Sequence, residues 1–272
     1  MSADPVRPAL DTTRLCSTVT GPGRFWRTFD VVTETGSTNA DLLARSDKGA
    51  DIRGAVIAAE FQTAGRGRHG RAWIAPPRSQ ISLSAGVDTS GIPPQAWGWL
   101  PLATGLAVVK SLEDSAGVSA GLKWPNDVIA RGGKLAGILA EVAPRGDAIV
   151  IGIGLNVTLM PSELPDLGAT SLLQLGASEL DRNVLIVALL QSLGDWMDHW
   201  RTAGGADEKL IDDYRRASIT LGSRVRAVLP GEREILGTAR DVDAWGRLII
   251  DTDGQAVTVS AGDITHLRTI EH

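Results

Sequence analysis

Apolar positions along the chain switch between short strand-like runs and longer helical stripes, and the order of the switches sets the fold class. Phe29-Asp30-Val31-Val32 reads as a strand, followed by the helical pattern of Leu42, Leu43 and Ala44. Thr38, with Asp41 three residues on, matches a capping box for that helix. Residues 54–61 form a buried-looking strand, and Ile81, Leu83 and Ala85 alternate with Ser82 and Ser84 as a strand with one polar face. Leu102, Leu106, Val109 and Leu112 draw one apolar stripe along a core helix. Leu122-Lys123-Trp124 and Asp127-Val128-Ile129-Ala130 bracket Pro125, and residues 131–134 read as a tight hairpin turn with Lys134 at its tip. Residues 135–142 and 148–157 have the pattern of central strands, with Gly152, Gly154 and Asn156 embedded. Glycine inside a strand often marks a close approach of a ligand or another backbone.

Further on, residues 158–176 carry Pro161, Pro165 and Gly168 and read as a mobile loop. Asp181 caps a long amphipathic helix presenting Leu185, Leu189, Trp196 and Trp200, and a shorter helix spans about residues 207–217. After Gly222 the rhythm becomes short strands at 225–228, 237–240, 248–250 and 256–259, a spacing that suggests a small β-barrel. Residues 1–24, with Pro5, Pro8, Pro22, Gly21 and Gly23, read as a partly ordered lead-in with one short helix near 10–17. Hairpins without regular βαβ alternation give an α+β class. The domains expected are a lead-in at 1–27, a catalytic domain at 28–219 and a C-terminal domain at 220–272.

Composition narrows the chemistry. The 272 residues are 43% hydrophobic and 22% charged, which is a globular balance with a core. A formal charge of −5 gives no overall field for nucleic acid, so no DNA partner is expected. The single cysteine, Cys16, excludes a disulfide framework and a Cys-rich zinc site, and a reducing cytoplasmic compartment is the default. No apolar run approaches the ~18 residues of a membrane span, so no membrane partner is expected.

Basic character is concentrated instead in Gly65-Arg66-Gly67-Arg68-His69-Gly70-Arg71. Glycines let a backbone approach a ligand closely, and arginine forks grip phosphate or carboxylate with two parallel hydrogen bonds. A loop of this composition suits a small anion with several oxygens. Ser37, Thr38 and Asn39 sit at a helix start, where hydroxyls and backbone N–H groups either cap the helix or bind a polar ligand.

Taken together, Gly-Ser-Thr-Asn at 36–39, Gln62, GRGRHGR at 65–71, KWPND at 123–127, GGKLAGILAE at 132–141 and GIGLN at 152–156 resemble the biotin protein ligases over about residues 28–270. The resemblance implies a class II aminoacyl-tRNA synthetase-like mixed sheet with helices, followed by an SH3-like β-barrel. It implies a reaction in which biotin and MgATP give biotinyl-5′-AMP and pyrophosphate. A lysine of the biotin carboxyl carrier domain of an acyl-CoA carboxylase then takes the biotinyl group and AMP leaves. By that resemblance Ser37, Thr38, Asn39 and Gln62 hydrogen-bond the ureido ring, and Gly65, Gly67, Gly137 and Leu139 complete the biotin pocket. Arg66 and Arg68 close over the carboxylate and phosphate, Arg71 holds the triphosphate, and Lys134 binds the biotin carboxylate and stabilises charge on the α-phosphate. Trp73 packs near the adenine and Asn156 reads the adenylate. Asn126 and Asp127 are candidates for Mg²⁺ or phosphate positioning, and Asp127 also for orienting the attacking lysine. Lys123 is a phosphate ligand or an ion-pair partner, and His69 is a solvent-facing position. The stretch before Phe29 has no room for the helix-turn-helix of the repressor members, which points to the monofunctional kind.

Two other readings compete. A lipoate ligase or octanoyltransferase shares a related fold, and the GRGRHGR and KWPND pair argues against it. The other is a non-enzymatic nucleic-acid or biotin-sensing module; the net charge of −5 and the missing helix-turn-helix argue against DNA binding, and biotin-dependent ATP–pyrophosphate exchange separates enzyme from sensor.

Overall fold

A computed structural model of the chain describes residues 7–165, 168–229, 234–260 and 263–266. The chain enters through α1 (Thr12–Val19), capped by the Asp11 carboxylate accepting from the Arg14 N–H at 2.9 Å and seated by Leu15 and Val19. Next come β1 (Thr28–Val32), α2 (Thr38–Asp47), β2 (Ala55–Ala59), β3 (Gln80–Asp88) and α3 (Leu100–Ala116). Then follow β4 (Gly121–Lys123), β5 (Asp127–Ala130), β6 (Gly133–Val142) and β7 (Ala148–Asn156). These seven strands form one mixed sheet in the order β1-β2-β3-β7-β6-β5-β4; β1 and β2 run parallel and the other neighbours antiparallel.

Period-two alternation gives the sheet two unlike faces. Ile149, Ile151, Ile153 and Leu155 of β7 join Leu83 and Ala85 of β3 in the main core, against α3 and the helices α5 (Arg182–Thr202) and α6 (Glu208–Ala217). On the other face α2 covers only one end, where Leu42 packs with Ile57, Ala148 and Val150. Beyond α2 that face carries mostly glycine and serine in register, Ser84–Gly152–Leu139 and Ser82–Gly154–Gly137, with Leu139 the one large side chain among them. The result is a trough in the sheet.

Two stretches are fastened to this sheet, and the short helix expected near 10–17 is present as α1. The lead-in is tied down from Arg7 onward. Leu10 N–H donates to Glu60 at 2.6 Å, and Arg182 pairs with Glu60 at 2.7 Å while donating to the Pro8 carbonyl. Glu60 and Arg182 are both buried, so their charges are held by each other and by these backbone groups. Arg7 reaches the Thr158 carbonyl at 2.9 Å and pairs with Glu163. The stretch read as a mobile loop is likewise fastened: Leu159, Thr170 and Ser171 are buried, a short helix α4 (Leu172–Leu175) starts at Ser171, and Ser171 Oγ donates to the Leu159 carbonyl at 2.7 Å.

The expected SH3-like barrel is corrected. β8 (Arg224–Val228), β9 (Glu234–Val242), β10 (Leu248–Thr252), β11 (Gln255–Val259) and β12 (Asp263–His266) form a five-stranded sheet in the order β11-β10-β9-β8-β12. Among the described residues β12 pairs only with β8 and β11 only with β10, so no ladder closes the sheet. A bulge between Ile249 and Ile250 bends it. The spacing of short strands reports hairpins, and closure needs a further pairing that the spacing does not encode.

This small sheet docks on the large one through its β9–β10 turn. Trp99 Nε1 donates to the Ala244 carbonyl at 3.0 Å and Trp124 Nε1 to the Gly246 carbonyl at 2.9 Å. Gly98 lies so close to the Trp245 carbonyl that a Cβ there would collide with it.

Candidate functional site

The trough opens into a cavity of about 610 Å³ where α2, β6, β7, the 65–71 loop and the 123–127 turn converge. That volume suits one small organic ligand with a nucleotide-sized extension. A cleft of about 670 Å³ lies elsewhere, by α1 and α5, but its Arg27, Arg53 and Arg201 are already engaged by Asp51 and Asp88.

At one end the wall is a buried polar cluster. Ser37 is the N-cap of α2 by position but makes no side-chain cap bond, and Thr38 is the first helical residue. The expected capping box is therefore absent: Asp41 accepts from Thr35 Oγ1 at 2.7 Å, and the Thr38 hydroxyl turns to Gln62 Oε1 at 3.1 Å and Ser84 Oγ at 2.6 Å. Thr38 N–H also donates to Gln62 Oε1 at 2.8 Å. Ser84 Oγ donates to Asn39 Oδ1 at 2.5 Å, and Asn39 Nδ2 donates to Glu141 Oε2 at 2.7 Å. Ser37, Thr38, Asn39, Gln62 and Ser84 are all buried. Helix capping and ligand binding compete for the same hydroxyls, and here the tertiary partners win.

The floor is glycine, though not for the reason the sequence suggests. A Cβ at Gly152 would collide with Asn39 Oδ1 and one at Gly154 with the Trp73 indole. The strand glycines make room for protein side chains that then line the cavity. Trp73 lies across Gly154 and Gly137 with its Nε1 donating to Gln80 Oε1 at 2.8 Å.

Cations gather at the other end. Lys134 Nζ sits 2.7 Å from Asp127 Oδ1 and 5.4 Å from the centre of the Trp73 ring. Lys134 is not the hairpin tip as expected. The tip is Arg131-Gly132, with φ of 45° and 80°, as a two-residue primed turn requires, and Lys134 is the second residue of β6. Its backbone is pinned on both sides, N–H to the Gly168 carbonyl at 2.6 Å and carbonyl from the Thr170 N–H at 3.0 Å. Asn156 Nδ2 donates to the Thr170 carbonyl at 2.9 Å, which joins that segment to β7. From the 65–71 loop, Arg66 pairs with Glu141 at 3.4 Å and Arg68 Nη1 reaches Asn126 Oδ1 at 3.4 Å. His69, exposed in a short 3-10 turn at φ 55°, faces outward as expected. Trp124–Pro125 is a cis peptide bond.

The structure thus brings Ser37, Thr38, Asn39, Gln62, Arg66, Gly67, Arg68, Arg71, Trp73, Lys123, Asn126, Asp127, Lys134, Gly137, Leu139 and Asn156 to one cavity. Gly65 is buried just off the wall, where a Cβ would collide with the Trp73 carbonyl. Reading by motif passed over Ser84, Gln80 and Glu141, which act one bond behind the wall. Ser84 did carry a signal, as the polar face of its strand. Ile264 of β12 also lines the cavity, a contribution from the far end of the chain that no local pattern announces. Beside it, His266 Nε2 meets Thr220 Oγ1 at 3.1 Å, and burial, then the nearby Lys123 ammonium, pushes the imidazole pKa down. Among the described residues no cluster of three or more His, Cys, Asp or Glu could hold a metal ion, and Asp127 is already paired with Lys134.

The model of the biotin/lipoate A/B protein ligase family matches residues 34–157, and that of the biotin protein ligase C terminal domain matches residues 220–267. The chain is 55% identical over 268 residues to a biotin–[acetyl-CoA-carboxylase] ligase of Mycobacterium tuberculosis, covering 97% of this chain and 98% of that one. It is 31% identical over 242 residues to the bifunctional ligase/repressor BirA of Bacillus subtilis, covering 86% of this chain and 72% of that one. Among solved structures it resembles a biotin protein ligase from Aquifex aeolicus in complex with biotin and ATP. The TM-score is 0.76 at 25% identity, over 90% of this chain and all of the other.

Proposed function

Because this chain belongs to the biotin protein ligase family, we propose a division of labour along its cavity, with the ureido ring at the α2 end and the carboxyl-phosphate junction at the arginine loop. The activity is ATP-dependent biotinylation through biotinyl-5′-AMP, with biotin and ATP as substrates.

The observation that carries the proposal is the polarity gradient of this one cavity. Adenylation brings a carboxylate against the α-phosphate, and two anions repel unless fixed cations and donors surround them. Arg66, Arg68, Arg71 and Lys134 converge there. Lys134 is held by β6 and by the 168–170 segment, so it needs little reorganisation as charge develops. The carboxylate oxygen attacks the α-phosphorus and pyrophosphate leaves, giving the mixed anhydride. A neutral carrier amine then attacks the biotinyl carbonyl, the C–O bond to phosphate breaks with its electron pair leaving on AMP, and the amine's proton passes to solvent as the amide forms. Asp127, on the same wall, is the carboxylate we assign to orienting that amine. Asn126 and Asp127 would also hold a Mg²⁺ together with the nucleotide's phosphates, and the ion would neutralise part of the phosphate charge. Asn126, Asn156, Trp73 and Lys123 line the nucleotide side.

The buried hydroxyls and amides at the other end favour biotin over lipoate. A dithiolane would leave the remaining acceptor capacity of Asn39 and donor capacity of Gln62 unmet on the cavity wall, whereas a cyclic ureide offers both donors and an acceptor. The acceptor protein we propose is the biotin carboxyl carrier domain of an acyl-CoA carboxylase, the protein acting in the cytoplasm without DNA or membrane. No helix among the described residues is long and apolar enough to cross a membrane.

Biotin-dependent exchange of labelled pyrophosphate into ATP tests the first half-reaction, and transfer of label to an isolated carrier domain tests the second. Exchange that responds to lipoate and not to biotin would overturn the assignment of the polar end.

A further inference from the structure

We propose that Glu141 is a positioning residue that fixes biotin recognition by setting which end of the Asn39 amide faces the ligand. The proposal rests on the biotin reading of the cavity given above. Glu141 lies on β6 beyond Leu139, and it does not itself line the cavity. An amide side chain presents a donor at one end and an acceptor at the other, and a half-turn exchanges them. What surrounds the amide therefore decides what the ligand meets.

The network around Asn39 is directional. An ionised carboxylate only accepts, so Glu141 Oε2, 2.7 Å from Asn39 Nδ2, holds the NH₂ end toward β6. The Leu139 carbonyl, at 3.3 Å, takes the same end. Asn39 Oδ1 is left over Gly152 on the cavity floor, where it accepts from Ser84 Oγ and keeps a second lone pair. Opposite, Gln62 Oε1 accepts from the backbone N–H of Thr38 at 2.8 Å, which turns the Gln62 NH₂ the other way. The pair thus offers one acceptor and one donor, the complement of a ureide's N–H and C=O.

Glu141 has a second task that could be confused with the first. Its other oxygen pairs with Arg66 at 3.4 Å, so changes at 141 reach the arginine loop too. The test separates the two. Isothermal titration of biotin into wild type, Glu141→Gln and Glu141→Lys reads affinity before any ATP is present. Gln can either donate or accept, so it releases the constraint; Lys only donates, so it draws Oδ1 outward and turns NH₂ into the pocket.

We expect the biotin Kd to rise about tenfold for Glu141→Gln and about a hundredfold for Glu141→Lys. Desthiobiotin keeps the ureide and lacks the sulfur, so its Kd should rise by the same factors, while general damage to the pocket would change the biotin-to-desthiobiotin ratio. The penalty should persist in an Arg66→Ala background. A Kd within twofold of wild type in both variants, or a penalty that vanishes in the Arg66→Ala background, would overturn the proposal. Failure of the wild-type protein to bind biotin would instead overturn the reading of the cavity. Thermal unfolding of each variant checks that the fold is retained.

Discussion

Removing the Lys134 ammonium should slow adenylate formation by about 10³–10⁵, and a second change, Asp127→Asn, should give part of that back. Two terms add. The first is the loss of a preorganised donor to developing charge, typically about 10²–10³ in rate. The second follows from the 2.7 Å pair between Lys134 and Asp127. In Lys134→Ala the carboxylate stays behind without its counter-ion and faces an incoming polyanion. At about 5 Å, with an effective dielectric between 20 and 80, that repulsion is roughly 1–3 kcal/mol. It corresponds to a further factor of about 5 to 150 in rate. Asp127→Asn in the Lys134→Ala background removes the second term and leaves the first, so the double variant should run about ten- to hundredfold faster than the single. Biotin-dependent ATP–pyrophosphate exchange measures all three proteins, with Lys123→Ala as a comparison that should fall far less. A double variant slower than Lys134→Ala alone would refute the counter-ion reasoning and make the hold of Asp127 on the nucleotide's metal the larger effect.

Two more outcomes are expected. Arg68→Gly removes a guanidinium fork beside Asn126 and loosens the loop, so biotinyl-AMP should escape about ten- to hundredfold faster. Blotting bystander albumin for biotin after incubation with MgATP should show more label than wild type gives, and equal label with adenylation intact would count against a latch at 68. Arg182→Met strips the cation from buried Glu60 and should cost about 3–5 kcal/mol in a urea titration, with the Glu60→Leu/Arg182→Met double recovering part; a loss below about 1 kcal/mol would mean Glu60 finds other partners.

How far the sequence could be read depended on how local the cause was. The strand at residues 81–85 and the helix through Leu102, Leu106 and Leu112 were legible as elements because their periods differ, but not in their burial: Ser82 and Ser84 are buried on the second face of the strand, and Val108 is buried where Val109 is half-buried. The arginine loop was legible because three glycines and three arginines in seven residues have few other uses. Lys134 was displaced by two residues from its expected tip because a primed turn needs two positive φ angles, and Arg131-Gly132 takes them. The Thr38–Asp41 capping box failed because Gln62 and Ser84, distant in sequence, outbid the helix end for the same hydroxyl. Glu141 gave no signal of its own. A charged residue near a strand end is usually solvated, and only the fold brings Asn39 and Arg66 to its two oxygens. The small sheet resembled a barrel because hairpin spacing is visible in a sequence, whereas whether the edge strands β11 and β12 pair with each other is not.

The indoles of Trp99 and Trp124 have a consequence for lifetimes. Both are buried, both give their ring N–H to the β9–β10 turn, and β12 sets Ile264 in the cavity wall. Detachment of the small sheet would therefore leave two ring N–H groups without acceptors and breach the cavity in the same event. Such an opening belongs among the costly, rare excursions of the chain and not among the fraying motions of a loosely tethered appendage. An anhydride held in this cavity is shielded from water only for as long as that attachment lasts. The residence time of the intermediate thus has a ceiling set about 110 residues away from Lys134, by a turn that does not line the cavity.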